Sequence, residues 1–169
     1  MTVRKVFDYS VALFVSAVLL AGPSMAQDVP AKLTPPAGVT AFGAYMARGV
    51  QIYTCTASGT ATEWRLKAPE AQLVDANGAI FAKHYAGPTW EAIDGSKAIG
   101  KVMEVVPAPT AGAIAWLLLS AESSGQGVLA GARFVQRIKT AGGVVQSSTC
   151  PEPGAEQRVP YTAEYVFYK

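Results

Sequence analysis

Tight-turn signals recur along this chain at intervals too short for long helices. Asn77–Gly78, Asp94–Gly95, Ser124–Gly125–Gln126–Gly127 and Gly142–Gly143 punctuate it, and no long stretch between them carries a helical period. Short segments between such turns must bury their apolar side chains by alternation, so the expectation is an all-β fold: a single antiparallel β-sandwich or barrel domain. Thr62–Lys67 alternates cleanly, with Trp64 and Leu66 on one face and Glu63, Arg65 and Lys67 on the other. Tyr161, Ala163, Tyr165 and Phe167 line one face of a C-terminal strand, and Val50, Ile52 and Tyr53 form a strand leading into Cys55. Asn77 and Gly78 both tolerate the positive φ of a type I′ turn. Residues 70–76 and 79–85 are therefore expected to pair as a hairpin, Val74 opposite Phe81 and Leu73 opposite Ala82. The apolar run Ile114–Leu119 predicts a strand buried on both faces. Phe42, Tyr45 and Met46, spaced i, i+3, i+4, suggest a short helix within 40–48.

The other strong constraint lies at the start. Arg4 and Lys5 precede the apolar run Val11–Ala21, and Pro23, Ser24, Met25 and Ala26 follow, the pattern of a cleaved signal peptide. The run falls short of the ~20 apolar residues of a membrane span. Residues 1–26 are read as signal peptide, 27–38 as an extended lead-in with three prolines, and 39–169 as the β domain. The expected location is periplasmic or extracellular. Pro23 rather than Cys stands directly after Leu20–Ala21–Gly22, and no Cys precedes position 55, so no lipid anchor is expected, and Asn77–Gly78–Ala79 is no glycosylation acceptor. The formal charge is +2, and removing Arg4, Lys5 and Asp8 brings it nearer neutrality. No segment concentrates Lys or Arg, which argues against nucleic acid as a partner. The sequence assigns no oligomeric state.

Cys55 and Cys150 are the only cysteines. In an oxidising compartment two thiols pair without remainder. Such a bridge would close a loop of about 95 residues, for which chain entropy gives about 4–5 kcal/mol. The competing reading is two buried free thiols. A metal pair is disfavoured, because His84 is the only imidazole and zinc takes four ligands. No metal or other cofactor is expected.

Chemistry-bearing residues gather in one place. His84–Tyr85–Ala86–Gly87–Pro88–Thr89–Trp90–Glu91–Ala92–Ile93–Asp94 holds the histidine, a tryptophan and two carboxylates at a Gly–Pro corner. A functional reading makes His84, Trp90, Glu91 and Asp94 a ligand site, or makes His84 a general base oriented by Glu91 or Asp94. A structural reading has Gly87–Pro88 turn the chain, Trp90 fill the core and Asp94 cap its turn. Gly125–Gln126–Gly127–Val128–Leu129–Ala130 matches the letters of a dinucleotide fingerprint. The context fails it, because no helix opens there and no acidic residue follows about 20 positions on. It is read as a flexible turn. No serine lies in a G-x-S-x-G elbow. Tyr53, Trp64, Tyr85, Trp90 and Trp116 could stack against sugar rings, though aromatic residues on strands more often fill cores.

Several blocks resemble an exported family of bacteria and fungi catalogued as domain of unknown function 3455. They are Gly49–Val50–Gln51–Ile52–Tyr53–x–Cys55, Trp64, Pro69–Glu70–Ala71, and the run from His84 through Gly87–Pro88–Thr89–Trp90–Glu91 to Asp94–Gly95–Ser96. Trp116–Leu119, Val135–Gln136–Arg137–Ile138–x–Thr140–x–Gly142–Gly143 and Cys150 continue the likeness, which spans about Gly38 to Tyr168. The resemblance implies a single exported domain and a Cys55–Cys150 pair. It carries over no catalytic residues, and the failed fingerprint speaks against the malate dehydrogenase label borne by some fungal relatives. Three functional readings follow: a non-enzymatic binding module for a small or carbohydrate-like ligand, a hydrolase-type enzyme using His84 with Glu91 or Asp94, and a surface-interaction or inhibitor protein.

Overall fold

The computed structural model describes residues 28–169, so the expected leader lies outside the described residues. Eight strands follow in chain order: β1 (Ala41–Ser58), β2 (Ala61–Val74), β3 (Ile80–Tyr85), β4 (Thr89–Ala92), β5 (Lys97–Val106), β6 (Trp116–Ser124), β7 (Phe134–Gly142) and β8 (Glu156–Tyr168). Each pairs antiparallel with the next, and β8 returns to β1 to close a barrel. The fold is all-β, and of the two architectures the sequence allowed it is the barrel.

An eight-stranded barrel is only just wide enough inside for side chains. Its interior here alternates aromatic and very small residues. Tyr161, Tyr165, Phe167, Trp90 and Leu73 are buried beside Ala47, Ala71, Ala82, Ala92, Ala98 and Ala163. The expected inward face of the last strand is confirmed, with Tyr161, Ala163, Tyr165 and Phe167 each at most 3% exposed. The apolar run Ile114–Leu119 is buried on both faces, as expected. Leu117 and Leu119 join the interior, whereas Trp116 and Leu118 pack outside against Leu33 and Ile138. Leu33 belongs to a 3-10 turn, Ala31–Leu33, so the lead-in is not extended throughout. Its carbonyl accepts a bond from the buried Gln136 side chain.

Three local expectations change. Residues 41–48 are not helical but lie in β1, paired with β8 and, from Met46 onward, with β2 as well. A bulge between Ala41 and Gly43 brings Phe42 and Tyr45 onto the interior cluster together, which mimics helical spacing. Met46 is exposed. The β2–β3 reversal is not a type I′ turn, since Gly78 has positive φ (83°) and Asn77 does not. The Asp75 carboxylate accepts from the Asn77 and Ala79 N–H groups and captures the turn one residue early. Leu73 faces Ala82 as expected, but a bulge sets Val74 opposite Ile80 rather than Phe81. Gly142–Gly143 does not reverse the chain either. A side chain at Gly143 would strike Ile114 and Tyr161, so the glycine lets this segment close over one barrel end.

The opposite end is closed by residues 125–133, an ordered plug rather than a free loop. Leu129 is fully buried, and Asp94 accepts the Val128 N–H.

Cys55 and Cys150 form a disulfide with Cα atoms 5.7 Å apart. It ties the outer part of β1 to the segment before β8, where Thr62 Oγ1 also donates to the Cys150 carbonyl at 2.6 Å. Replacing both cysteines by serine should lower stability by about 2–5 kcal/mol. Urea unfolding of the double variant, beside the oxidised parent, measures this; coincident curves would mean that the bridge contributes nothing.

Candidate functional site

β3 and β4 are too short to cover their neighbours. β2 pairs with β3 only through Ala71–Val74, and β5 with β4 only through Lys97–Ile99. Beyond the β3–β4 turn, Ala86–Gly87–Pro88, the two longer strands diverge. A cavity of about 280 Å³ opens there, bounded by Leu66–Pro69 of β2, Val102 of β5 and the turn itself. Its inner wall is formed by Gln51, His84, Trp90, Leu117, Leu119, Arg137 and Tyr165.

His84 and Trp90 are direct cross-strand partners. Both are almost wholly buried, and their rings stack in parallel at 4.6 Å. Tyr165 meets both edge-on. The flanking positions in the same register row are Gly49 and Ala71 on one side and Ala98 on the other. Gly100 completes the accommodation, since a Cβ there would lie 2.9 Å from the Trp90 ring.

The imidazole Nδ1 lies 2.9 Å from the Thr89 carbonyl oxygen. A carbonyl can only accept, so Nδ1 carries the proton and Nε2 keeps its lone pair. Burial lowers the His84 pKa to about 4, the Thr89 bond opposing and the nearby Arg137 charge adding to the shift. The ring is therefore neutral at physiological pH.

The structure brings His84 and Trp90 together but separates both carboxylates from them. Glu91 points to the outer face, where it accepts from Tyr85 Oη at 2.7 Å and pairs with Lys97 at 3.4 Å. These partners hold its carboxyl below the usual range, the Tyr85 bond foremost. Asp94 lies at the far end of β4. It accepts from the Ser96 hydroxyl and N–H and from Val128, bonds that keep it ionised as a cap of the plug. Neither orients the imidazole, whose Nδ1 is held instead by the Thr89 carbonyl.

Three cavity residues escaped the sequence reading: Gln51, Arg137 and Tyr165. Gln51 is 1% exposed, and its Nε2, like the Trp90 indole Nε1, has no hydrogen-bond partner among the described residues. Arg137 donates through Nε and Nη2 to the Ala115 carbonyl at 3.1 and 2.8 Å. A signal did exist. In Val135–Gln136–Arg137–Ile138 the arginine shares the phase of the inward Val135, and Gln51 shares that of Ala47 and Gly49.

Among the described residues there is no group of three or more His, Cys, Asp or Glu side chains placed to hold a metal ion, and no helix long and apolar enough to cross a membrane. The disulfide is compatible with an oxidising compartment.

Because the folded His84 pKa lies below the ordinary 6.5, the unfolded chain binds more protons between those values. The stability from burying a neutral ring is present above pH 6.5 and is lost as the pH falls toward 4. The loss should reach about 3 kcal/mol. His84→Asn, which can still donate to Thr89, should flatten this component of the pH–stability curve. Equal slopes for both proteins between pH 6.5 and 4 would place the titration elsewhere.

The family model described as "Protein of unknown function (DUF3455)" matches residues 36–169. No curated protein and no solved structure matches the chain.

Proposed function

Since this chain belongs to the DUF3455 family of unknown function, we propose from its own geometry that it is an exported, non-enzymatic binding module. It takes a small or carbohydrate-like ligand in the cavity between β2 and β5. The observation that carries this reading is the pair of buried donors, Gln51 Nε2 and Trp90 Nε1, left without acceptors on residues that line the cavity. A buried donor without a partner costs about 1–3 kcal/mol; both nitrogens are closed to solvent in the unliganded protein, so a ligand oxygen offsets that cost on displacing the side chains that cover them. The His84–Trp90 stack and Leu117 and Leu119 supply apolar surface. Pockets for drug-sized ligands run from about 300 Å³ upward, so this volume suits a compact molecule rather than a polymer.

His84 and Trp90 are the site residues retained from the sequence. Glu91 and Asp94 contribute indirectly, Glu91 by holding Tyr85 and Lys97 on the outer face and Asp94 by closing the plug. The hydrolase reading finds no support in these positions. The interaction reading has one specific observation in its favour: Val102, Met103 and Val105 of β5 are each about half exposed, beside a strand edge without a partner.

Gln51→Leu separates function from structure. Removing the unpaired amide should stabilise the fold by about 1 kcal/mol, a rise in Tm of a few degrees. It should also weaken, by about tenfold, any compact ligand found in a thermal-shift screen of monosaccharides and small ring compounds. A variant that is less stable, or that binds such a ligand unchanged, removes the basis for this site.

Export through the leader predicts a separate result. Mass spectrometry of protein recovered outside the cytoplasm should show Gln27, or its cyclised form, at the N-terminus. An intact Met1 on that species overturns the leader assignment.

A further inference from the structure

The charge balance of the cavity narrows the ligand class. Two cationic side chains line it, Lys67 and Arg137, and no Asp or Glu does. Lys67 is already paired with Glu156 at the exposed rim. Arg137 is partly buried, stands on β7 opposite Leu117 and Tyr165, and takes part in none of the ion pairs found among the described residues. The Ala115 carbonyl engages Nε and Nη2 and fixes the plane of the guanidinium, and the Tyr165 hydroxyl lies close enough to interact with it. Of five N–H donors, two serve the Ala115 carbonyl, and the others face Tyr165 and the cavity.

A charge taken out of water without a counterion is costly unless a partner neutralises it. The surroundings offer neutral acceptors, the His84 Nε2 lone pair and the Tyr165 hydroxyl, but no anion. Gln51 Nε2 and Trp90 Nε1 are unpaired, and the positive field of Arg137 extends over His84, Tyr161 and Tyr165. His84 cannot serve as the cation, because its ring is neutral and its proton is committed to Thr89.

We propose that the ligand of this cavity is a compact carboxylate, its anion held by the free edge of the Arg137 guanidinium and its ring or apolar body set against the Trp90–Leu119 wall. This rests on the binding reading above and adds a charge to it. A guanidinium held in one plane suits a carboxylate, which can accept two parallel N–H bonds. Ligand hydroxyls meet the amide of Gln51 and the indole of Trp90 as the wall that covers both nitrogens gives way. A uronic acid of monosaccharide size or a small aromatic acid has these features.

The test uses matched pairs that differ in charge: glucuronate against glucose, and benzoate against benzamide, each titrated calorimetrically into the disulfide-bonded protein. At least one acid should bind about tenfold or more tightly than its neutral partner, and its affinity should fall as sodium chloride is raised. Arg137→Gln should reduce the affinity for that acid to the level of the neutral compound, and Arg137→Lys, which keeps the charge but loses the fork, should restore part of it. Circular dichroism establishes that both variants fold. Should the first variant not fold, the salt dependence and the acid-to-neutral ratio of the parent decide alone. Equal or tighter binding of the neutral member, weakened by Gln51→Leu, overturns the carboxylate assignment and leaves the binding reading standing. Binding of neither pair at millimolar concentration also overturns it, whereas the stability gain of Gln51→Leu tests the cavity independently of any ligand.

Discussion

One row of the barrel governs the rest: Gly49, Ala71, His84, Trp90 and Ala98, neighbours on five consecutive strands. Two flat rings can lie side by side inside an eight-stranded barrel only if the strands on either side bring almost no side chain to that level. Gly49 brings none, and a Cβ there would lie 2.5 Å from the Cα of Ala71. Gly100 does the same on the β5 side. The next row, Ala47, Leu73, Ala82 and Ala92, carries one large residue among small ones. Aromatic bulk in one row is thus matched by its absence beside it, and packing stays dense without overcrowding.

This row also explains where the cavity falls. The stacked rings fill the middle of the barrel, so ligand space can exist only above or below them. Below, Leu129 and the plug held by Asp94 occupy the volume. Above, β3 and β4 end at Gly87–Pro88, and the wall there consists of β2 and β5 without a strand between them. Ile114 and the Gly142–Gly143 segment cover the end itself but not this side, with Thr140 Oγ1 donating to the Ile114 carbonyl and Tyr53 Oη to that of Gly143. The opening is a consequence of unequal strand lengths.

Much of this was legible in the residues. Alternation in Tyr161–Phe167 identified an inward face, and the unbroken run Ile114–Leu119 identified a strand covered twice, because such patterns report burial directly. The His84–Trp90 proximity was legible for a related reason, since a Gly–Pro corner folds nearby residues together. Turn geometry was less accessible: Asn77–Gly78 has the right letters for a type I′ turn, but Asp75 offers the backbone a competing acceptor. The placement of Glu91 and Asp94 turned on parity. Glu91 is one residue from the inward Trp90 and so faces outward, while Asp94 has already left the strand. Arg137 and Gln51 were hidden because their partners are distant in sequence, and only barrel closure, which sets β7 and β1 on either side of β8, brings them to one cavity.

The polar groups of the cavity are hard to account for as packing. A barrel with this core would gain stability from leucine at position 51, and an uncompensated guanidinium on an inward position of β7 is a further cost. Unpaired buried groups occur elsewhere too, at Thr54 Oγ1 and Trp116 Nε1, whereas Gln136 finds partners within the fold in both Leu33 and Tyr168. Gln51 and Arg137 stand at equivalent inward positions without such completion: among the described residues one has no partner for its amide nitrogen, the other no carboxylate. The contrast lies within a single sheet. Gln136 and Arg137 are adjacent residues on opposite faces of β7, one completed by the lead-in and the C-terminal strand, the other left facing the cavity. Side chains whose hydrogen-bonding capacity exceeds what the fold supplies, gathered on a single wall, are the form that preorganisation for a ligand takes.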